Sequence, residues 1–362
     1  MGRAAAAVSV GPAARSGLNG VAVLSRRNAW AVGSSMAGGG EQTLVVHWNG
    51  TRWRRVPSPT PGGSASAARL WGVAALSRRD IWAVGQQGSD VTQTLAEHWN
   101  GHRWKVVPSP NPVGPPIHSE LYAVAAVSHT SVWAVGCCSP GKSGTGALIE
   151  HWNGHGWKVT DTPSPPGSAL FGLAAASATD VWAVGIYKPA GAKYFHTLTE
   201  HWNGHRWRLV PSPNPPKSFG SFLNAVTVRP SGRAWAVGFY LNNPDQPVDQ
   251  TLVERWNGRR WKVVPSPNRP GGDNVLRGVT TLSRSGAWAV GGATAGGGDQ
   301  GLVVRWNGHR WRLAPSPKFT RTKFATLSGV AGVSRTGFWA VGGGLVAVAA
   351  RWNGSTWKVY LP

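Results

Sequence analysis

The sequence predicts an all-β chain, folded as a seven-bladed β-propeller of four-stranded antiparallel blades. Three observations predict it. The tetrapeptide Trp-Ala-Val-Gly begins at Trp30, Trp82, Trp133, Trp182, Trp235, Trp288 and Trp339, a spacing of 49 to 53 residues, and a fixed period of that size marks a solenoid, propeller or array. Each period divides into four apolar runs bounded by turn residues, and every run is too short for a helix. The composition agrees: 49 Gly and 27 Pro supply turns, while 22 Trp against 8 Phe and 5 Tyr suit packed, pleated strands.

In the second unit the runs are residues 72–76, 81–85, 94–99 and 104–108, named A to D. The A–B turn opens on Ser, as in Ser77-Arg78-Arg79-Asp80. The C–D turn is nearly constant as Trp-Asn-Gly-x-x-Trp, seen at 48–53, 99–104 and 352–357. Asn-Gly is the strongest short hairpin signal because both residues tolerate φ > 0, so all seven copies are read as structural. Each unit places three Trp in these runs, and Trp71 is the one Trp outside the pattern. A four-stranded sheet cannot bury both faces alone, so neighbouring units must stack, and seven can close a ring. No D-type strand precedes the first unit. Closure is therefore expected from face packing of blades one and seven, and residues 5–10 are not counted as an added edge strand. Residues 18–362 form one domain. Residues 1–17 read as a tail and a candidate residual targeting segment, with an Ala-rich run shorter than a clear signal peptide has.

The chain carries 37 Lys plus Arg against 14 Asp plus Glu. That excess suits anionic partners, but the basic residues cluster around the last Trp of each unit, as at Arg52, Arg54 and Arg55. On an outer strand they would guard against edge-to-edge pairing, so rim protection and polyanion binding both stay open. Cys137 and Cys138 are the only cysteines. They argue against a structural zinc site, read as buried thiols in a B–C loop with a strained vicinal disulfide as the alternative, and leave the redox compartment undetermined. No apolar run reaches membrane-spanning length. A monomer is expected, in a secreted or cell-surface setting.

With Val290-Gly291-Gly292 through Trp306-Asn307-Gly308 to Trp311, and again Val341-Gly342-Gly343 to Trp357, the sixth and seventh units resemble the kelch repeat. Only those two carry the double Gly, and Trp stands where kelch has Tyr. Trp-Asn-Gly-x-x-Trp also resembles a shortened Asp-box, the hairpin of sialidase-type propellers. Both resemblances cover residues 18–362, imply the same fold, and carry no catalytic residues.

If strand A is innermost, the short A–B and C–D turns share one face, and the variable B–C and D–A loops share the other. Binding residues favour variable loops on a rigid scaffold, so the second face is the site candidate. Its densest cluster is Tyr187, Lys188, Lys193, Tyr194, Phe195 and His196 in one B–C loop, with Phe239 and Tyr240 opening the next. Lys217, Phe219 and Phe222 lie in the D–A loop between them. Exposed aromatics mixed with Lys suit sugar rings, bases or a peptide. Replacing Tyr194 and Tyr240 by Ala is expected to abolish binding without altering the melt.

His47, His98, His151 and His201 share a slot with Arg255, Arg305 and Arg351, so they read as blade-packing cations and no metal is expected. Glu97, Glu150, Glu200 and Glu254 precede them and are expected to pair with basic neighbours. No nucleophile elbow, phosphate loop or His-Glu-x-x-His motif occurs, and no cofactor is expected. A copper site of the galactose-oxidase kind would need a Tyr matched to the cysteines, and none stands out. The function expected is non-enzymatic binding of a macromolecular or glycan ligand on the variable loops. The alternative is a polysaccharide-active hydrolase or lyase with its site in the central channel. It would need acids such as Asp245, Asp249, Asp273 and Asp299 to converge.

Overall fold

The computed structural model describes residues 15–63, 67–111, 117–140, 146–245, 248–283, 286–295, 298–319 and 325–362. These form twenty-eight strands in seven blades, and none of them is helical, so no helix is long and apolar enough to cross a membrane. Blade one is β1 (Ser16–Ser25), β2 (Asn28–Ala37), β3 (Gly40–Trp48) and β4 (Trp53–Arg55), each paired antiparallel with the next. The inner strands of blades two to seven are β5 (Ala68–Ser77), β9 (Ile117–Ser128), β13 (Ala169–Ser177), β17 (Ser221–Val228), β21 (Asn274–Ser283) and β25 (Ala325–Ser334). They stand side by side around a central channel. Residues 5–10, not counted as an edge strand from sequence, lie outside the described residues.

The inner strands are longer than the apolar runs implied, and the outer ones shorter. The outer strand of blade two, β8 (Trp104–Val106), stops before Pro108, whose ring nitrogen has no hydrogen to donate. Each three-residue outer strand buries its indole and exposes the next two residues, which puts Arg54, Arg55, Lys105 and Lys158 on the rim.

The C–D hairpins correct one expectation. The glycines do take positive φ, from 94° at Gly204 to 110° at Gly354, but among the described residues Lys217 is the one non-glycine that does. Asn works through its side chain instead. Asn49 Oδ1 accepts the N–H groups of Thr51 at 3.1 Å and Arg52 at 3.0 Å. Asn100, Asn153, Asn203, Asn257, Asn307 and Asn353 repeat the arrangement. An Asx turn of this kind tightens the loop and needs no left-handed Asn.

The three Trp of each unit meet between blades. Trp30 stacks on His47 of its own blade at 4.3 Å and meets Trp99 and Trp104 of the next at 5.0 and 5.7 Å. Trp82, Trp133 and Trp182 are caged likewise, with His98, His151 and His201 packed on them. In later blades the guanidiniums of Arg255, Arg305 and Arg351 lie over Trp235, Trp288 and Trp339 at 5.3 to 5.9 Å. The His/Arg slot is thus a cap on an indole face, filled by a flat imidazole or by a cation.

The ring closes by the same device. Trp339 of blade seven meets Trp48 and Trp53 of blade one, both at 4.9 Å. Gly17 of β1 pairs with Gly343 of β26 (Gly337–Gly344), and the Ala347 N–H donates to Ser16 Oγ at 2.9 Å. Among the described residues no strand is exchanged between the two blades, as the sequence phasing implies. The second glycine of the seventh unit has its reason here: a Cβ at Gly343 would sit 2.8 Å from Gly17 Cα.

The repeated glutamates do not pair with basic residues. Glu97, Glu150, Glu200 and Glu254 are fully buried. Three of them reach hydroxyls of the preceding blade: Ser109 for Glu150 at 2.6 Å, Thr162 and Ser164 for Glu200, and Ser212 for Glu254 at 2.9 Å. Burial pushes the Glu97, Glu150 and Glu254 carboxyls up to about 8, and Glu200 upward as well. A carboxyl whose folded pKa is raised keeps its proton while the unfolded chain loses it. Its stabilisation is therefore complete below about pH 4.5 and declines as pH rises to about 8. The slope is at most about 1.4 kcal/mol per carboxyl and pH unit. Replacing Glu97, Glu150 and Glu254 together by Gln is expected to leave stability unchanged at pH 4 and to raise it relative to the parent progressively towards pH 8. Parallel denaturation curves at all pH values would refute this.

Candidate binding site at the mouth of the central channel

The seven inner strands share one irregularity. In β1 the register passes from Leu18↔Gly33 to Gly20↔Val32, which leaves Asn19 bulged out of the ladder. The same step leaves Trp71, Tyr122, Phe171, Asn224, Arg277 and Ser328 bulged in blades two to seven. Such a bulge inserts one unpaired residue and bends the strand. It also explains the glycine of Trp-Ala-Val-Gly. A Cβ at Gly33, Gly85, Gly185 or Gly291 would lie 1.8 to 1.9 Å from a backbone carbonyl oxygen of the bulged strand. The residue after the bulge is Gly or Ala because the next inner strand presses on it. A Cβ at Gly72 would lie 3.0 Å from Ala123 Cα, and one at Gly172 2.7 Å from Ala225 Cα.

All seven bulged side chains line one open cavity of about 440 Å³, joined by Phe239, Asp249 and Val275. The bulges fall near the starts of the inner strands, so the cavity opens on the face of the variable loops. Its wall is lopsided. Trp71, Tyr122 and Phe171 form a continuous half-buried aromatic arc, with ring centroids 6.0 and 5.4 Å apart. Asn19, Asn224, Arg277 and Ser328 supply the polar arc. The two Asn are committed to the ring itself, since their Nδ2 groups donate to Leu70 O and Leu276 O of the next blade, both at 2.8 Å.

Arg277 is the cation of the cavity. Its guanidinium lies beside Gly292, where a Cβ would stand 2.7 Å from Thr326 Cγ2 and 3.0 Å from Arg277 Nη1, so the second glycine of the sixth unit leaves room for both side chains. The residue is exposed on the channel side, yet surrounding protein atoms lower its hold on its proton, against the opposing pull of Asp299 and Asp249. Among the described residues no carboxylate comes within ion-pair distance of it. Burial and the neighbouring Asp273 push the Asp249 carboxyl up to about 6, and Asp273 Oδ1 accepts the Asp249 N–H at 3.0 Å. Beside this cavity, sharing Asn19 and Ser328, opens another of about 430 Å³ that holds the Arg69–Glu41 ion pair at 2.6 Å. The Arg69 guanidinium also covers one face of Trp71 at 4.7 Å.

The loop cluster expected from sequence divides in two. Tyr187 packs against the core between blades three and four, and Tyr240 against that between blades four and five. Tyr240→Ala would therefore disturb packing, and the pair Tyr194 and Tyr240 does not separate binding from stability. Tyr194 and Phe219 meet edge to face at 5.7 Å with Lys193 over Tyr194, and Lys188 and Lys217 are exposed. Phe195 leans on Phe222, which stacks flat on Phe239 at 4.5 Å. Of the whole cluster, only Phe239 lines the channel cavity.

Sequence reasoning passed over the bulged ring. Trp71, the Trp outside the repeat, was its one visible mark. Two further expectations change. Cys137 and Cys138 are free thiols within strand β10 (Ser131–Pro140), not in a loop. A tyrosine does meet one of them, since Tyr122 Oη lies 3.5 Å from Cys137 Sγ, and burial pushes that thiol up to about 11. Among the described residues no group of three or more His, Cys, Asp or Glu could hold a metal ion.

No protein-family model and no curated protein matches the chain, so neither the kelch nor the Asp-box resemblance gains support from a family match. Solved structures do match along nearly its full length. YCF48 bound to D1 peptide superposes with a TM-score of 0.58 at 13% identity, covering 95% of this chain and 94% of that one. YCF48 from Cyanidioschyzon merolae gives 0.54 at 14%, covering 94% and 97%. A polysaccharide lyase of family PL25, an ulvan lyase bound to -[GlcA(1-4)Rha3S]-, gives 0.59 at 10%, covering 97% and 95%. At such identities the likeness is one of fold.

Proposed function

We propose that the protein is a non-enzymatic binding propeller that seats part of a macromolecular or glycan ligand in the mouth of its central channel, beneath the variable loops. The observation that carries this reading is the bulged ring. Seven structurally equivalent positions, on a scaffold that otherwise repeats closely, hold side chains of different chemistry and converge on one open cavity. A scaffold role alone gives no reason for Trp, Tyr, Phe and Arg to stand where Asn or Ser also fits. Two proteins of this fold were solved with a peptide and with a saccharide bound, which supports the same use of the architecture. The test is a glycan and peptide array probed with the parent and with a Trp71→Ala, Phe171→Ala variant at two salt concentrations. Ligands of the parent are expected to weaken at least tenfold in the variant, whose melt changes little because both rings are half exposed. Ligands kept by the variant and lost in salt would assign binding to the basic rim and overturn the reading.

One observation favours the enzymatic alternative. Asp249, raised to about 6, lies on the cavity wall beside Asp273, the kind of asymmetric carboxyl pair that acid–base chemistry on a polysaccharide uses. Under that alternative the parent shortens a polysaccharide and Asp249→Asn does not. An unchanged chain length after prolonged incubation of each array ligand removes it.

A further inference from the structure

Resting on the reading of the channel mouth as a binding site, we infer that its ligand is an acidic sugar residue of a glycan, its ring against the Trp71–Tyr122–Phe171 arc and its acid group on Arg277.

The wall offers side chains for recognition and almost no backbone. A peptide that adds a strand needs a free sheet edge with a run of unpaired N–H and C=O groups. Here each inner strand is bulged at the cavity, and its neighbour's backbone presses within about 3 Å of the Cβ position of the following residue, as at Gly20, Gly72 and Gly329. At the level of the cavity the edge of each inner strand is interrupted by its bulge and by this close approach, so a peptide strand would find no unbroken ladder there. A ligand must be held by ring faces and isolated polar groups, which is how a pyranose is held. Its C–H face lies on an aromatic ring, and its hydroxyls bond to amides, hydroxyls and carboxylates at the rim.

The acid group follows from Arg277. It is the bulged residue with a permanent charge, it has no ion-pair partner among the described residues, and Gly292 is small where the guanidinium lies. Asp249 and Asp299 act on it from a distance, which steadies the guanidinium without occupying it. A planar, forked cation presented to an open cavity matches a carboxylate or a sulfate in two parallel hydrogen bonds. The volume of about 440 Å³ lies in the range of pockets that enclose a small ligand. The excess of basic residues over the whole chain draws anionic polymers to the surface, and the channel then selects one unit.

The experiment titrates the full-length protein by calorimetry with four probes of similar size: an oligohexuronate, a sulfated oligosaccharide, a neutral oligosaccharide and an acidic peptide. One of the two acidic saccharides is expected to bind, and which one does names the acid group. Arg277→Gln is expected to weaken that binding at least tenfold and to erase its advantage over the neutral probe. Arg277→Lys keeps part of it, and Trp71→Ala weakens acidic and neutral saccharides alike. Raising salt tenfold should reduce affinity only modestly, as one ion pair rather than a polyanion track is involved. Binding of an acidic saccharide that Arg277→Gln leaves unchanged overturns the assignment. So does binding of the peptide alone, although its loss in Trp71→Ala would keep the channel as the site. Failure of all four probes to bind overturns both readings. Cleavage of a bound saccharide would leave the acidic-sugar assignment standing and end the non-enzymatic one.

Discussion

Replacing Gly185 by alanine is expected to prevent blade four from forming and to cost at least about 4 kcal/mol, in the range reserved for severe backbone or core disruption. The reason is not left-handed backbone, since Gly185 is absent from the positive-φ glycines. The added methyl would stand 1.9 Å from Ala169 O and 2.8 Å from Leu170 Cα, both fixed backbone atoms of the bulged partner strand. Relief requires straightening the bulge, which shifts Phe171 out of the channel and moves Leu170 off the core between blades three and four. Gly191→Ala is the control: it sits at φ 72° with nothing within 4 Å, so it meets only the left-handed penalty of about 1–2 kcal/mol. Urea denaturation of the two variants decides the matter. Equal midpoints would mean that the close approach is not what this glycine is for.

Replacing Trp182 by alanine is expected to destabilise the protein by about 3–5 kcal/mol, as for other buried indoles and phenyl rings. Its indole is 2% exposed and is held on three sides, by His201 of its own blade and by Trp256 and Trp261 of the next. Removal empties the joint between blades four and five, and the partner rings come from short C–D hairpins anchored by Asx turns, which have little freedom to close in. Trp71→Ala is the comparison that separates scaffold from site. It removes the same chemical group from a half-exposed position and should move the denaturation midpoint little. If both substitutions cost the same, Trp71 belongs to the packing and not to the channel. If Trp182→Ala costs less than about 1 kcal/mol, the indole cages are not what holds the blades together.

The contrast between those two tryptophans also shows how much was legible in the chain. Blade number, strand order and the hairpins could be read because each rests on short-range chemistry repeated seven times, and repetition averages out local accident. The Trp cages were half legible. Three Trp per unit announced packing, but that they meet across blades depends on stacking, which no single unit encodes. The binding ring was not legible as a ring. A bulge is a slip in pairing between two strands, and Leu-Trp-Gly at 70–72 reads along the chain as an ordinary run with one residue out of phase. Asp249 and Asp273 were visible only as scattered acids, because their meeting joins the start of a strand in blade five to the loop that leads into blade six. The buried glutamates misled for a related reason. Their neighbours in sequence are basic, while their neighbours in space are hydroxyls of the preceding blade.

The closure of the ring without an exchanged strand sets where the molecule gives way under load. Blade one and blade seven each keep all four of their own strands, and they meet through one residue pair, one side-chain hydrogen bond and an aromatic joint of the kind found between other blades. Mechanically this is a split washer. Tension applied through the two chain ends would arrive at the slit directly. Elsewhere around the circle a covalent link crosses each joint, whereas here every link is non-covalent. Spreading of the slit would widen the channel at Asn19 and Ser328 first, on the polar side of the mouth, and leave the aromatic arc on the far side undisturbed.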